Sequence, residues 1–239
     1  MNKKPSISEP VTELRKIKII ECGEPLVDYL KLCPKLLVAR SVWNYQRLSL
    51  LRESVADKLC HATKQIPKNM RLMVVEGWRP PHIQKRMHLS ALQRWRERHP
   101  EWSEQKILRT ANRFTAPPHP KVPPPHTTGG ALDIVLGDAE GNELDMVSPY
   151  ERRDPKAYPF DTQGLSDTAR KHRLILKEAL ASVGITNYPS EFWHYSFGDQ
   201  GWAYRGGHEH AIYGSITPEN YTPPEDEMID EPLEWIADK

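Results

Sequence analysis

The sequence predicts a single α+β domain in which an antiparallel sheet is flanked by helices. Three observations carry this. Short runs with the two-residue apolar period of strands occur beside stretches with the three-to-four-residue period of helices. The two kinds do not alternate regularly, as a doubly wound fold would require. With 239 residues, 38% of them apolar, the chain can fill one sizeable core.

The elements follow in order. Residues 1–20 read as an extended, partly basic lead, and residues 21–217 as the domain itself. Val42, Leu48, Leu51, Val55 and Leu59 keep a helical period across 42–62. The apolar run 72–75 stops at Glu76-Gly77 and reads as a buried strand. Ile83, Met87, Ala91 and Trp95 recur every fourth residue, which predicts a helix over 81–99 ended by Pro100. A second helix is expected over 103–114. Six of the nine residues in 117–125 are proline, so this stretch is a stiff connecting loop.

Residues 131–136 alternate around Asp133 and read as a strand, and 137–165 are polar and turn-rich. Ser166 as N-cap, the stripe Ala169, Leu176, Ala179, Leu180 and Val183, and Gly184 past the end define a helix over 166–183. Strands are expected over 192–197 and 210–216. Residues 218–239 are acidic, carry prolines and read as a surface tail.

Composition excludes several classes of function. Lys and Arg number 33 against 32 Asp and Glu, so the chain is not a strongly basic nucleic-acid binder. No apolar run can span a bilayer, and residues 1–20 lack the continuous apolar stretch of a signal peptide. The expectation is a cytoplasmic protein with neither nucleic acid nor membrane as partner. Cys22, Cys33 and Cys60 are odd in number and lack CxxC spacing, which indicates neither a disulfide framework nor a zinc knuckle.

Three segments carry chemistry. In His126-Thr127-Thr128-Gly129-Gly130-Ala131-Leu132-Asp133, a histidine at a loop end is joined by two glycines to an aspartate inside a strand. The glycines allow a tight turn, so both side chains can face one point as metal ligands. The alternative is a capping histidine and a strand-end aspartate. In Glu191-Phe192-Trp193-His194, a regular strand would place Glu191 and His194 on opposite faces. They converge as base and ligand only if Glu191 lies in a bend before the strand. In Glu76-Gly77-Trp78-Arg79-Pro80-Pro81, Pro80 holds Arg79 extended, which suits an anion clamp as well as an ordinary surface arginine.

Together the segments say more. Two histidines and an aspartate form an open three-ligand set that leaves a tetrahedral zinc one position for water. A carboxylate outside the ligand set can take that water's proton, and an arginine can hold a developing oxyanion. These are the parts of metal-assisted amide hydrolysis. His208-Glu209-His210, in a glycine-rich stretch, reads as a polar turn rather than a second metal site. The scattered tryptophans read as packing residues.

On these motifs the chain resembles the zinc D-alanyl-D-alanine dipeptidases of the vancomycin-resistance type, within the zinc D,D-peptidases. His126, Gly129, Ala131 and Asp133 match H-x-x-G-x-A-x-D. Glu191, Trp193 and His194 match E-x-W-H, and Arg79 matches the upstream R-P segment. The resemblance covers roughly residues 40–215. It implies one zinc per chain held by His126, Asp133 and His194, with Glu191 as acid/base and Arg79 stabilising the transition state. It also implies a small D,D-dipeptide as substrate and a place in cell-wall metabolism.

Two positions depart from the pattern. Pro124 stands where the family has serine. Glu151 ends the segment whose last carboxylate meets the substrate ammonium, where the family has the shorter aspartate. The same parts could serve a D,D-carboxypeptidase or peptidoglycan endopeptidase, though such enzymes act outside the cytoplasm. They could also serve a zinc-bearing binding module without catalysis, but a purely structural site needs no base at Glu191.

Overall fold

The computed structural model describes residues 9–119, 121–152 and 154–236. In chain order these form α1 (Val11–Leu14), β1 (Lys18–Ile19), β2 (Leu26–Asp28), α2 (Tyr29–Leu32), β3 (Leu37–Val38), β4 (Leu50–Arg52), α3 (Glu53–Ala62) and β5 (Met70–Glu76). There follow α4 (Pro81–Arg98), α5 (Glu104–Phe114), β6 (Ala131–Asp138), α6 (Asp167–Ala181), β7 (Thr186–Asn187), β8 (His194–Ser196), α7 (Gln200–Gly206) and β9 (His210–Ala211). The protein is α+β.

The main sheet has five strands in the order β3-β5-β6-β8-β7. β5, β6, β8 and β7 pair antiparallel, as expected, but the edge strand β3 runs parallel to β5. Alternation along β5 and β6 sorts the side chains by face. Leu72, Val74, Leu132, Ile134 and Leu136 are fully buried and pack with Val55 and Leu59 of α3 and Leu176 and Leu180 of α6. Each such side chain contributes roughly 1.5–3 kcal/mol relative to exposure. The opposite face presents Val75, Asp133 and Val135 to a cleft that α4 and α5 help to wall.

The helices begin where capping chemistry places them. Ser166 Oγ accepts from the Ala169 N–H at 3.1 Å at the start of α6. Ser103 caps α5 in the same way. Pro81 opens α4, in the first turn, where its missing N–H has no intrahelical partner to lose.

Several local expectations are revised. The helix foreseen over 42–62 is confined to α3. Arg47 donates to the Ala39 carbonyl at 2.8 Å and also to the Val75 carbonyl, and residues 50–52 pair with β2 instead. The strands foreseen over 192–197 and 210–216 shorten to β8 and β9, and the intervening α7, capped by Asp199, was not foreseen.

Segments near both limits of the described chain pack on the body. β1 pairs in parallel with β9, although their residues are far apart in sequence. Leu233 is buried against Ile83 and Met87, and Ser90 Oγ donates to its carbonyl at 2.7 Å. Among the described residues no helix is long and apolar enough to cross a membrane.

Candidate active site

Sheet register assembles the first part of the site. Asp133 on β6 stands opposite His194 on β8 and opposite Glu76 on β5. Directly opposed residues share a face, so the three form a row across the sheet. Asp133 Oδ1 lies 2.9 Å from His194 Nδ1 and 3.4 Å from His126 Nε2. Among the described residues, His126, Asp133 and His194 are the group placed to hold a metal ion, with ligand atoms within 4.8 Å of one another.

His126 reaches this row from a 3₁₀ turn, Pro125–Thr128, that closes the proline-rich loop. Gly129 then takes φ +71°, a left-handed conformation that costs a glycine nothing, and swings the chain into β6. His126 Nδ1 donates to the Gly77 carbonyl at 2.9 Å. A carbonyl can only accept, so this bond leaves the Nε2 lone pair toward Asp133. Buried Arg52 secures the turn: its N–H donates to the Gly129 carbonyl at 2.9 Å and its Nε to the Thr128 carbonyl at 2.8 Å.

Glu191 lies in the bend before β8, the condition under which it converges with His194. The His194 N–H donates to the Glu191 carbonyl at 3.2 Å, closing a four-residue turn. Asn187 Nδ2 braces that turn, donating to the carbonyls of Glu191 at 2.9 Å and His194 at 3.0 Å. Trp193 packs edge-on against Tyr158 with ring centroids 4.8 Å apart.

Arg79 is buried rather than on the surface. Its Nη1 donates to Gln84 Oε1 at 2.7 Å, and its Nη2 lies 3.4 Å from Glu76 Oε2. Its Nε–H is fully buried and has no hydrogen-bond partner.

These side chains line one cleft of about 610 Å³ that contains Arg79, His126, Asp133, Glu191, Trp193 and His194. Burial alone would raise the Asp133 carboxyl, but the charges and hydrogen bonds of His126 and His194 outweigh it and hold Asp133 well below the usual carboxylate range. Burial pushes Glu191 up to about 8, helped by the Asp133 charge and opposed by His194 and Arg79. Two carboxyls in one cleft are thus driven apart, one fixed as an anion and one poised to exchange a proton near neutrality.

Glu151 is not brought into this group. It is exposed and does not line the cleft, whereas its neighbour Arg152 does and pairs with Glu143 at 2.6 Å. His208 is exposed and stacks on Trp202 with ring centroids 3.8 Å apart, and is not part of the group of His126, Asp133 and His194. Residues that sequence reasoning missed are Arg52, Glu76, Gln84 and Glu9. Glu76 carried the available signal, since a carboxylate three residues before Arg79 at a strand end is a ready partner. Glu9 had none, because it reaches the cleft only through tertiary packing.

A family model described as D-ala-D-ala dipeptidase matches residues 35–212. The chain is 30% identical over 248 residues to the D-alanyl-D-alanine dipeptidase of Synechocystis sp. (strain ATCC 27184 / PCC 6803 / Kazusa), covering 88% of this chain and 99% of that protein. It is 29% identical over 70 residues to the D-alanyl-D-alanine dipeptidase of Escherichia coli (strain K12), covering 29% of this chain and 36% of that one.

Proposed function

The chain belongs to the D-ala-D-ala dipeptidase family of peptidases, and from that premise we propose that it hydrolyses a D,D-dipeptide such as D-Ala-D-Ala with one zinc ion per chain. The observation that carries this reading is the convergence of His126, Asp133 and His194 in the cleft that also presents Glu191 and Arg79.

Two imidazoles and one carboxylate, buried and close-set, suit zinc better than the all-oxygen sites of calcium or magnesium. His126, Asp133 and His194 would hold the ion, which when bound supplies a Lewis acid for the scissile carbonyl and makes the attacking water more acidic.

The chain's own residues do the rest. Glu191, open to the cleft and surrounded elsewhere by protein, takes the proton of the attacking water and returns it to the leaving amine. Arg79 is fixed by Gln84 and Glu76, so its guanidinium is already oriented when negative charge develops on the carbonyl oxygen. Trp193 and Tyr158 give the cleft an apolar wall that strengthens these interactions by excluding water.

Hydrolysis rates on D,D-, L,D- and L,L-dipeptides and on a pentapeptide ending in D-Ala test the reading. The D,D-dipeptide should be the best substrate. Rapid trimming of the pentapeptide with no cleavage of dipeptides would replace it with a carboxypeptidase.

A further inference from the structure

The cleft offers more room than two alanine residues fill. Its volume of about 610 Å³ falls in the range of sites that enclose much larger ligands. Its charged lining is divided by position. Asp133 and Glu191 come from the sheet and the bend before β8, while the helical hairpin α4–α5 contributes only cations: Arg94, Arg98 and Arg113.

Arg98 and Arg113 are exposed and, among the described residues, neither guanidinium has a hydrogen bond or an ion pair. Each rests on a ring instead, Arg98 at 5.7 Å from the Trp95 centroid and Arg113 at 6.0 Å from that of Phe114. Those two rings stack with centroids 6.1 Å apart, so both cations sit on one aromatic platform. The carboxylates of the hairpin are engaged elsewhere. Glu97 accepts from Gln93 at 2.7 Å, Glu101 lies 3.2 Å from His99, and Glu104 pairs with Arg96 at 2.9 Å. The helix dipole favours a cation in the last turn of α4 or α5, but it does not select the position that faces the cleft.

This platform adjoins the group of His126, Asp133 and His194. Phe114 meets Tyr158 with centroids 5.9 Å apart, and Tyr158 meets Trp193, the neighbour of His194, at 4.8 Å. The Arg113 charge also acts on Tyr188, whose ring lies 6.0 Å from that of His194. A ligand lying along these rings with its peptide bond at His194 brings its side chain toward the two arginines. Guanidinium groups with unspent donors select a carboxylate, whose oxygens match their planar fork. We propose that Arg98 and Arg113 form an anion-binding subsite of the cleft for a side-chain carboxylate of the substrate, so that the enzyme favours D,D-dipeptides bearing an acidic residue. This rests on the dipeptidase reading above.

The experiment measures kcat/KM of the zinc-loaded wild type on D-Ala-D-Ala and on two pairs that differ in charge but not in shape: D-Glu-D-Ala against D-Gln-D-Ala, and D-Ala-D-Glu against D-Ala-D-Gln. The acidic member of one pair should be favoured roughly three- to thirtyfold, chiefly through KM, and added salt should shrink the preference. Arg98→Gln and Arg113→Gln should each bring the ratio toward one. Arg96→Gln removes a charge that pairs with Glu104 and does not line the cleft, and should leave the ratio as it is. Titration calorimetry of the same pairs on Glu191→Gln should show the same contrast in Kd without turnover. Ratios near one for both pairs in the wild type, or an equal fall in Arg96→Gln, would overturn the subsite while hydrolysis of D-Ala-D-Ala keeps the dipeptidase reading. Charge-selective binding in the calorimetry with no cleavage of any dipeptide would overturn the dipeptidase reading and keep the subsite.

Discussion

The main-chain N–H of Arg79 donates to the carbonyl of His126 at 3.1 Å, and the ring of His126 donates back to Gly77, two residues before Arg79, at 2.9 Å. The strand end that carries Arg79, the proposed anion clamp, and the turn that carries His126, a proposed metal ligand, are thereby one rigid unit. Neither can shift without the other, which is how groups 47 residues apart in sequence keep a common geometry.

Gly77 is the weak point of that unit. A Cβ there would stand 2.8 Å from the Leu50 carbonyl oxygen, which the Trp78 N–H binds at 2.8 Å. Gly77→Ala should destabilise the fold by about 1–3 kcal/mol and weaken metal binding by roughly ten- to a hundredfold through the displaced His126 partner. Thermal melts and a competitive metal titration check this. Wild-type metal affinity in the variant would show that the Gly77 carbonyl does not orient the ring.

Arg79→Lys keeps the charge but not the planar fork that reaches Gln84 and Glu76 together. The expected loss is about 10²–10³ in kcat with metal content unchanged, the usual worth of a preorganised oxyanion donor. Steady-state kinetics beside metal analysis decide it, and a lysine enzyme of wild-type speed would remove Arg79 from the proposed role.

The difference between what the sequence disclosed and what it hid is one of range. H-x-x-G-x-A-x-D is legible because its parts are local: a turn, a left-handed glycine and one strand residue. Glu191 was legible only conditionally, since the bend that redirects it is set by Asn187 and the Tyr188 carbonyl rather than by its own neighbours. The helical period over 42–62 failed in its first half because Trp43, Asn44 and Arg47 are claimed by partners far along the chain, among them Trp235, Glu234 and Val75. Glu9 reaches the cleft through an ion pair with Arg205 and the pairing of β1 with β9, and no periodicity reports such contacts.

Glu191→Gln should fold and hold the metal while losing about 10²–10⁴ in rate. It should also change how the metal-free protein responds to pH. The folded Glu191 carboxyl titrates near 8 against an ordinary value of 4.5, so between these values the folded state binds the extra proton. Stability from this group is therefore present at low pH and lost as pH rises toward 8. At pH 8 the metal-free variant should melt several degrees above the metal-free wild type, and near pH 4.5 the two should converge. A constant difference across that range would mean that Glu191 is not the group held protonated.

The most direct measurement is hydrolysis of D-Ala-D-Ala by one preparation assayed as purified, after chelation and after readdition of zinc, with metal content determined at each stage and His194→Ala carried alongside. The expected result is about one zinc per chain in the active protein, no turnover after chelation, recovery with zinc, and neither metal nor activity in His194→Ala. Undiminished hydrolysis by the metal-free protein, or full zinc occupancy in His194→Ala, would contradict the assignment of His126, Asp133 and His194 as the catalytic metal site.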